Sequence, residues 1–255
     1  MINLKIFETP RAWGNMNTNS LFFNKEYAND FEKRKAIFLE NRKKAGQKLG
    51  CNPKKFYMPT QQKDGSYALL TKEMVDAYED GWDLTIKADI LMIKNDLSKV
   101  VIGYPVADCP LMIAVDSKNG VTATAHCSAE FIDFKLPKRT IDVLKSVYNS
   151  KESDLDIYFS ACAGSNSYRY ETYPKWAKDR SIWEETGSIK EDNGIYKIDL
   201  RTAILRQLSP QAFHTFYMNP TDTITNDNYF SNYAFKHGIK EKGGRNFVGA
   251  FYIKK

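Results

Sequence analysis

One stretch limits the folds open to this chain more than any other: Val101 to Cys127, VIGYPVADCPLMIAVDSKNGVTATAHC. Nearly all of it is strand-forming, and its one polar break, Ser117-Lys118-Asn119-Gly120, is turn chemistry because Asn and Gly tolerate positive φ. The expected structure is an antiparallel hairpin. With Asp116 paired to Val121, Cys109 falls opposite Ser128, and His126 lies two residues along. Side chains alternate between faces, so the thiol and the imidazole project from one face of the sheet. A loop reduced to Asn119-Gly120 widens the offset to four and keeps the parity. Pro110 cannot donate to a ladder and is expected to kink the strand beside Cys109. A Cys and a His so placed can ligate a metal or form a nucleophile–base couple. They can equally be a buried thiol and a hydrogen-bonded imidazole with no chemical task. Asp108 is costly to bury alone, which predicts that this corner faces a cleft, whereas Cys127 should point into the core.

The rest of the chain supplies layers to cover the hairpin. The spacing predicts a helix over 26–49, with Tyr27, Phe31, Ile37, Phe38, Ala45 and Leu49 on one side and Gly50 as its stop. A short helix capped by Thr71, strands over 84–93 and 100–107, and a helix from Pro137 to Tyr148 follow, the last with Ile141, Leu144 and Val147 as its buried stripe. Strands are expected at 156–160, 213–218 and 246–253, a helix at 199–208, and helix plus loop over 174–195. Without a regular βαβ rhythm, the class is α+β: one compact domain over 1–255, with mixed β-sheet layers flanked by helices.

Composition narrows the partners. A net charge of +6 is mild; the clusters Lys33-Arg34-Lys35, Arg42-Lys43-Lys44 and Lys54-Lys55 read as a solvated helix face, and a nucleic-acid partner is not expected. No membrane-spanning run or secretory signal is expected, and four cysteines without CxxC spacing suit a reducing, cytoplasmic setting. Three histidines in the whole chain cannot furnish a multicopper centre. The small-residue loop Ala161–Ser167 suits a phosphate only weakly, lacking GxxxxGK[ST] and GxGxxG. Asp222–Asn228 and Gly243-Gly244-Arg245 read either as a polar loop and a turn, or as a substrate-facing loop with an anchoring arginine. Nothing names a protein partner.

Taken in order, several segments resemble the laccase-domain family, also called YfiH-like or polyphenol-oxidase-like proteins. Val106-Ala107-Asp108-Cys109-Pro110 with Ala125-His126 is similar to its ADC-P…AH core. Asn41-Arg42 through Leu49-Gly50, Ala88-Asp89-Ile90-Leu91, Gly164 with Tyr170-Glu171, Asp199-Leu200 with Gln207-Leu208, and Tyr229-Phe230-Ser231 with Gly244-Arg245 resemble its other segments. The likeness spans roughly residues 11 to 255. It implies a single layered domain related to the deamidase domain of cytotoxic necrotizing factor. It also implies a zinc site of His, Cys and His, and cleavage of purine nucleosides with phosphate or deamination of adenosine. On this template Cys109 and His126 are metal ligands, Asp108 stands with them as a catalytic group, and Arg245 contacts substrate.

The sequence departs from that pattern at three places. The family's first histidine, in a QVHG motif, falls in Thr60–Gly65, where no His occurs and Gln62 is the expected occupant, a poor zinc ligand. Glu130 stands at a substrate-binding position where the family has an arginine, and Asn232-Tyr233-Ala234-Phe235 replaces paired arginines. Three functions follow as alternatives: a divergent purine nucleoside enzyme with an incomplete zinc site, taking nucleoside and phosphate; a Cys–His hydrolase or deamidase with Cys109 as nucleophile and His126 as base; or a non-catalytic protein, of a host or a phage particle, that keeps the fold for binding or assembly.

Overall fold

The hairpin forms in the register that its alternation demands. In the computed structural model, which describes residues 2–17 and 29–254, Leu111–Asp116 pairs antiparallel with Val121–His126, and Asp116 lies opposite Val121. Within the connecting turn only Gly120 takes a positive φ, +63°, where the lack of a Cβ matters. The Asp116 carboxylate accepts from the Asn119 N–H at 2.9 Å, from the Asn119 amide at 2.7 Å and from Ser150 Oγ at 2.5 Å. These bonds tie the turn to the end of the following helix.

The two strands are the centre of a six-stranded sheet in the order 215–218, 155–159, 111–116, 121–126, 90–94, 67–70. The two outermost pairings are parallel and the three inner ones antiparallel. A four-stranded sheet runs Ile2–Glu8, Asn246–Lys254, Val101–Val106, Phe56–Tyr57. Alternation assigns each face a partner. Leu111, Ile113 and Val115 pack on Val106, Val248 and Ala250 of the second sheet. Met112, Ala114, Ala123 and Ala125 instead share a core with helices Ala129–Asp133, Leu136–Tyr148 and Leu200–Leu205. Burial on both faces is why the sequence here reads as an almost continuous apolar run. The result is a single compact α+β domain with mixed sheets.

The first helix is Phe31–Leu49, capped by Asp30, whose carboxylate accepts from Lys33 N at 2.9 Å, and closed by Gly50 at φ +71°. Its expected start at residue 26, and Tyr27, lie outside the described residues. Phe31 is 54% exposed, so the buried side is narrower than the periodicity predicts. Arg42 leaves the solvated basic face altogether. It is buried, donates from Nε to Pro53 O at 2.9 Å and from Nη2 to Asp80 at 2.9 Å, and lies against the Phe38 and Phe56 rings. Two of its three nitrogens find acceptors while Nη1 has none among the described residues, so the flat face stacked between the rings, together with the Asp80 pair, holds the guanidinium in this layer.

Thr71 caps Lys72–Ala77 by accepting from Met74 N, and Pro137 sits in the first turn of Leu136–Tyr148. Val147 is exposed, however, and Leu136 and Thr140 complete the buried stripe with Ile141 and Leu144. Residues 174–195 differ most from expectation. Only Arg180–Trp183 is helical; Ile189–Asp192 and Ile195–Ile198 form a hairpin, joined by Arg169–Tyr170. Asn193 and Gly194 both have positive φ, +53° and +79°, giving the two-residue turn that matches strand twist. Among the described residues no helix is long and apolar enough to cross a membrane.

Candidate functional site

The ladder ends at Leu111 and His126, and Cys109 lies in the bend beyond it. Pro110 gives no N–H to the pairing, but its carbonyl accepts from Cys127 N at 2.9 Å, so the two chains stay together one step further. Cys127 joins the helix-side core. His126 stands on the other face, where the Tyr104 ring of the second sheet stacks on its imidazole at 4.5 Å and 13°. Cys109 and His126 are both half-buried.

A buried carboxylate shapes the loop that meets His126. Asp89 Oδ1 accepts from the N–H groups of Gln62 and Lys63 at 2.7 and 2.9 Å, and Oδ2 from those of Asp64 and Gly65 at 2.9 and 2.7 Å. Lys63 is held at φ +62° within this cradle. The loop delivers Gln61, not Gln62, to the histidine. Gln61 Nε2 donates to His126 O at 3.0 Å, and Gln61 Oε1 lies 2.8 Å from His126 Nδ1. An amide that donates with its nitrogen accepts with its oxygen, so Nδ1 carries the ring proton and Nε2 keeps a lone pair. Gln62 is exposed and turns back to donate to Thr60 O at 2.7 Å. The one-residue difference comes from the Asp89 cradle, which gathers the main chain from residue 62 onward.

Electrostatics leave both groups neutral. Burial, reinforced by the Asp108 carboxylate, pushes the Cys109 thiol up to about 12, against the opposing pull of Arg245 and the Ala129 N–H. Burial and then the Arg245 charge push His126 down to about 3. This is the reverse of the thiolate–imidazolium couple of a cysteine hydrolase. That Arg245 acts on both groups places it at the same corner; its N–H donates to Asn15 Oδ1 at 2.8 Å and its Nη1 to Gly244 O at 3.1 Å.

Asp108 is buried but fully partnered rather than exposed to a cleft. Thr223 Oγ1 donates to one carboxylate oxygen at 3.0 Å and Tyr233 N to the other at 2.7 Å, while Ala163 N donates to its carbonyl at 2.8 Å. Glu130 is exposed and lies 3.3 Å from Lys63 Nζ. His214 pairs with Asp156 at 2.7 Å and His237 stacks on Tyr233 at 4.0 Å, both on the surface.

A cluster of tyrosines closes the corner, Tyr168 among them with no sequence signal to mark it. Tyr168 meets Tyr170 and Tyr233 edge-on, with centroids 5.3 and 5.2 Å apart, and Tyr170 OH donates to Tyr168 OH at 2.9 Å. Burial pushes both the Tyr168 and Tyr170 hydroxyls up, and the nearby Cys109 sulfur adds to it. Two clamps hold the loops behind them. Asp222 accepts from Gly164 N at 2.9 Å, Ser167 Oγ at 2.6 Å and Ile224 N at 2.9 Å. Buried Lys240 donates to the carbonyls of Thr223, Asn226 and Tyr229 at 2.9, 2.7 and 2.9 Å. No sequence periodicity signals a lysine of this kind.

A catalytic zinc takes three protein donors and an open position. Cys109 and His126 offer two, and the amide beside them has its oxygen engaged by Nδ1. Among the described residues no group of three His, Cys, Asp or Glu is arranged to hold a metal ion. The residues present do not fit such a centre.

The architecture defines a two-sheet α+β protein with a thiol–imidazole corner at the open end of its central hairpin. Residues 9–249 match the family described as multi-copper polyphenol oxidoreductase laccase, and the chain belongs to this YfiH-like, laccase-domain family. Among solved structures it is similar to the Bacillus licheniformis hypothetical protein YfiH, at 16% identity and a TM-score of 0.74, over 98% of this chain and 93% of that one. It is also similar to YlmD from Geobacillus stearothermophilus, at 15% identity and a TM-score of 0.71, over 100% of this chain and 92% of the other. A Neisseria meningitidis protein matched to a family of unknown function, DUF152, shares 17% identity at a TM-score of 0.72, over 99% and 95% of the two chains. No curated protein matches the sequence.

Proposed function

We propose that this protein is a purine-nucleoside-directed member of the family. Its Cys109–His126 corner recognises the nucleoside, and zinc-dependent phosphorolysis or deamination is reduced to a small fraction of what a three-donor site supports. The observation that carries this reading is that the loop meeting His126 supplies Gln61, an amide bonded to the ring Nδ1 and the carbonyl of His126, and that among the described residues no third His, Cys, Asp or Glu joins the pair as a metal donor. Recognition is supported by the chemistry of the corner. Neutral His126 offers an Nε2 lone pair to an exocyclic amine, and the part-exposed rings of Tyr104 and Tyr170 border the corner. The family resemblance supports the purine class. The raised thiol and lowered imidazole give no support to the Cys–His hydrolase.

The test combines binding with turnover. Adenosine should bind the wild type by calorimetry and bind about ten-fold more weakly to His126→Ala, which lacks the acceptor. Adenosine or inosine with phosphate should turn over near background in wild type and Cys109→Ala alike, with zinc well below stoichiometric. Fast wild-type turnover that Cys109→Ala abolishes, with one zinc per chain, would make the protein an active metalloenzyme. Absence of nucleoside binding would leave the assembly role.

A further inference from the structure

A concave site lies away from the Cys109 corner, and its construction is independent of the function proposed there. The small-residue loop Ala161–Ser167 has two sides. Toward the corner, the Gly164 N–H, the first donor a phosphate would use, is occupied by the Asp222 carboxylate. A Cβ at Gly164 would lie 2.6 Å from Asp222 Oδ2, so no ligand enters on that side. Away from the corner, Ser165 and Asn166 border a cavity of about 440 Å³, completed by the turn Thr186–Ser188, the hairpin residues Lys190 and Lys197, and Arg206. This volume lies within the range of small-molecule sites.

The charges of the cavity are arranged against ordinary sheet economy. Lys190 and Lys197 are direct cross-strand partners, and like charges placed opposite each other destabilise a strand pair. Lys197 is paired at 2.5 Å with Asp192 on the same hairpin. Lys190 and Arg206 have no acidic partner among the described residues. The one carboxylate in the lining, Asp199, accepts from Thr202 N at 3.0 Å and from Thr202 Oγ1 at 2.9 Å as a helix cap. Three cations thus converge on a pocket whose other walls are hydroxyl, amide and main-chain groups and the one carboxylate of Asp199, itself engaged as a cap. The Ser165 and Asn166 N–H groups have no acceptor among the described residues.

We infer that this pocket binds the phosphate group of a small phosphorylated molecule, with Lys190, Lys197 and Arg206 as the charged contacts and Ser165 and Asn166 as donors from the loop. Charge-assisted bonds from several converging cations give phosphate its affinity, and an open site of this kind weakens with added salt. The cations border one bounded concavity rather than a track along the surface, which favours a small ligand over a nucleic-acid backbone.

The experiment is an amide-resolved NMR titration of the full chain with inorganic phosphate, with adenosine 5′-monophosphate, and with adenosine as the uncharged control. Phosphate and the monophosphate should shift the amides of Ser165, Asn166, Gly187 and Ser188, and adenosine should leave them in place. Lys190→Gln with Arg206→Gln should weaken binding of the monophosphate about ten-fold. Both side chains are exposed, so an unchanged thermal melt should confirm that the variant folds. Binding unaffected by the double substitution, shifts confined to the Cys109 corner, or no binding at all would overturn the inference. So would a single-stranded oligonucleotide that moves these amides where phosphate and the monophosphate do not.

Discussion

In the strands Leu111–Asp116 and Val121–His126, every side chain but that of His126 is buried, and parity alone decides which layer each one enters. At the open end of the same strands the organisation changes. There the chain is irregular, and single charged groups gather it: Asp89 accepts four main-chain N–H groups, Asp108 and Asp222 bridge loops distant in sequence, and Lys240 collects three carbonyls. Apolar burial positions a surface; polar clamps position individual atoms on it. The contrast sets two different sensitivities to substitution. Burial tolerates substitution by volume, whereas a clamp needs one particular acceptor or donor.

Variants in each region should separate these forces. Phe159, fully buried in the sheet beside the hairpin, should show the largest loss. Phe159→Ala is expected to cost about 3–5 kcal/mol in denaturant unfolding, yet leave the His126 imidazole ¹⁵N shifts as they are in the wild type. Asp89→Ala should cost less, about 3 kcal/mol, and move those shifts, because the loop carrying Gln61 loses its anchor. If Asp89→Ala leaves the imidazole signals unchanged, the clamp does not position the corner. The smallest effect is expected at Asp222. Burial pushes its carboxyl up, but the bonds from Ser167, Gly164 and Ile224 outweigh burial and hold it below the usual carboxylate range. A depressed carboxyl contributes stability above its unfolded value, near pH 4, and loses it as pH falls through the native one. Acid unfolding curves of Asp222→Asn should therefore be shallower below about pH 4 than those of the wild type.

What the sequence reveals follows the same division. The hairpin register, the face of Cys127, the Thr71 cap and the Gly50 stop rest on local rules, and the chain obeys them. Arg42 and Val147 depart because tertiary contacts, the Pro53 carbonyl and Asp80 for one and solvent for the other, override periodicity. The hairpin at Asn193-Gly194 carries a strong turn signal, but charged residues on both flanks conceal the strands, since this small sheet buries little. The first strand, Ile2–Glu8, is an edge whose pairing with Asn246–Lys254 joins the two ends of the chain. No local rule predicts such a contact. Within the site, Cys109 and His126 are legible from spacing, while Gln61 and Lys240 are not, because their roles depend on loops folded by distant acids and carbonyls.

The hairpin turn has a further consequence, for chemical ageing. Asn followed by Gly is the dipeptide most prone to close into a succinimide and open to aspartate or isoaspartate, since glycine leaves the attacking nitrogen unhindered. Here the Asn119 amide donates to Asp116 Oδ2 at 2.7 Å and to Tyr148 O at 3.1 Å, which fixes the side chain away from that reaction. Native chains are shielded, and chains that unfold are not. Deamidation at residue 119 thus records how long a molecule has spent unfolded. Each event adds a negative charge beside Asp116, and the isoaspartate product also adds a methylene to the backbone at the tightest point of the central hairpin, so an aged chain refolds into a turn it no longer fits.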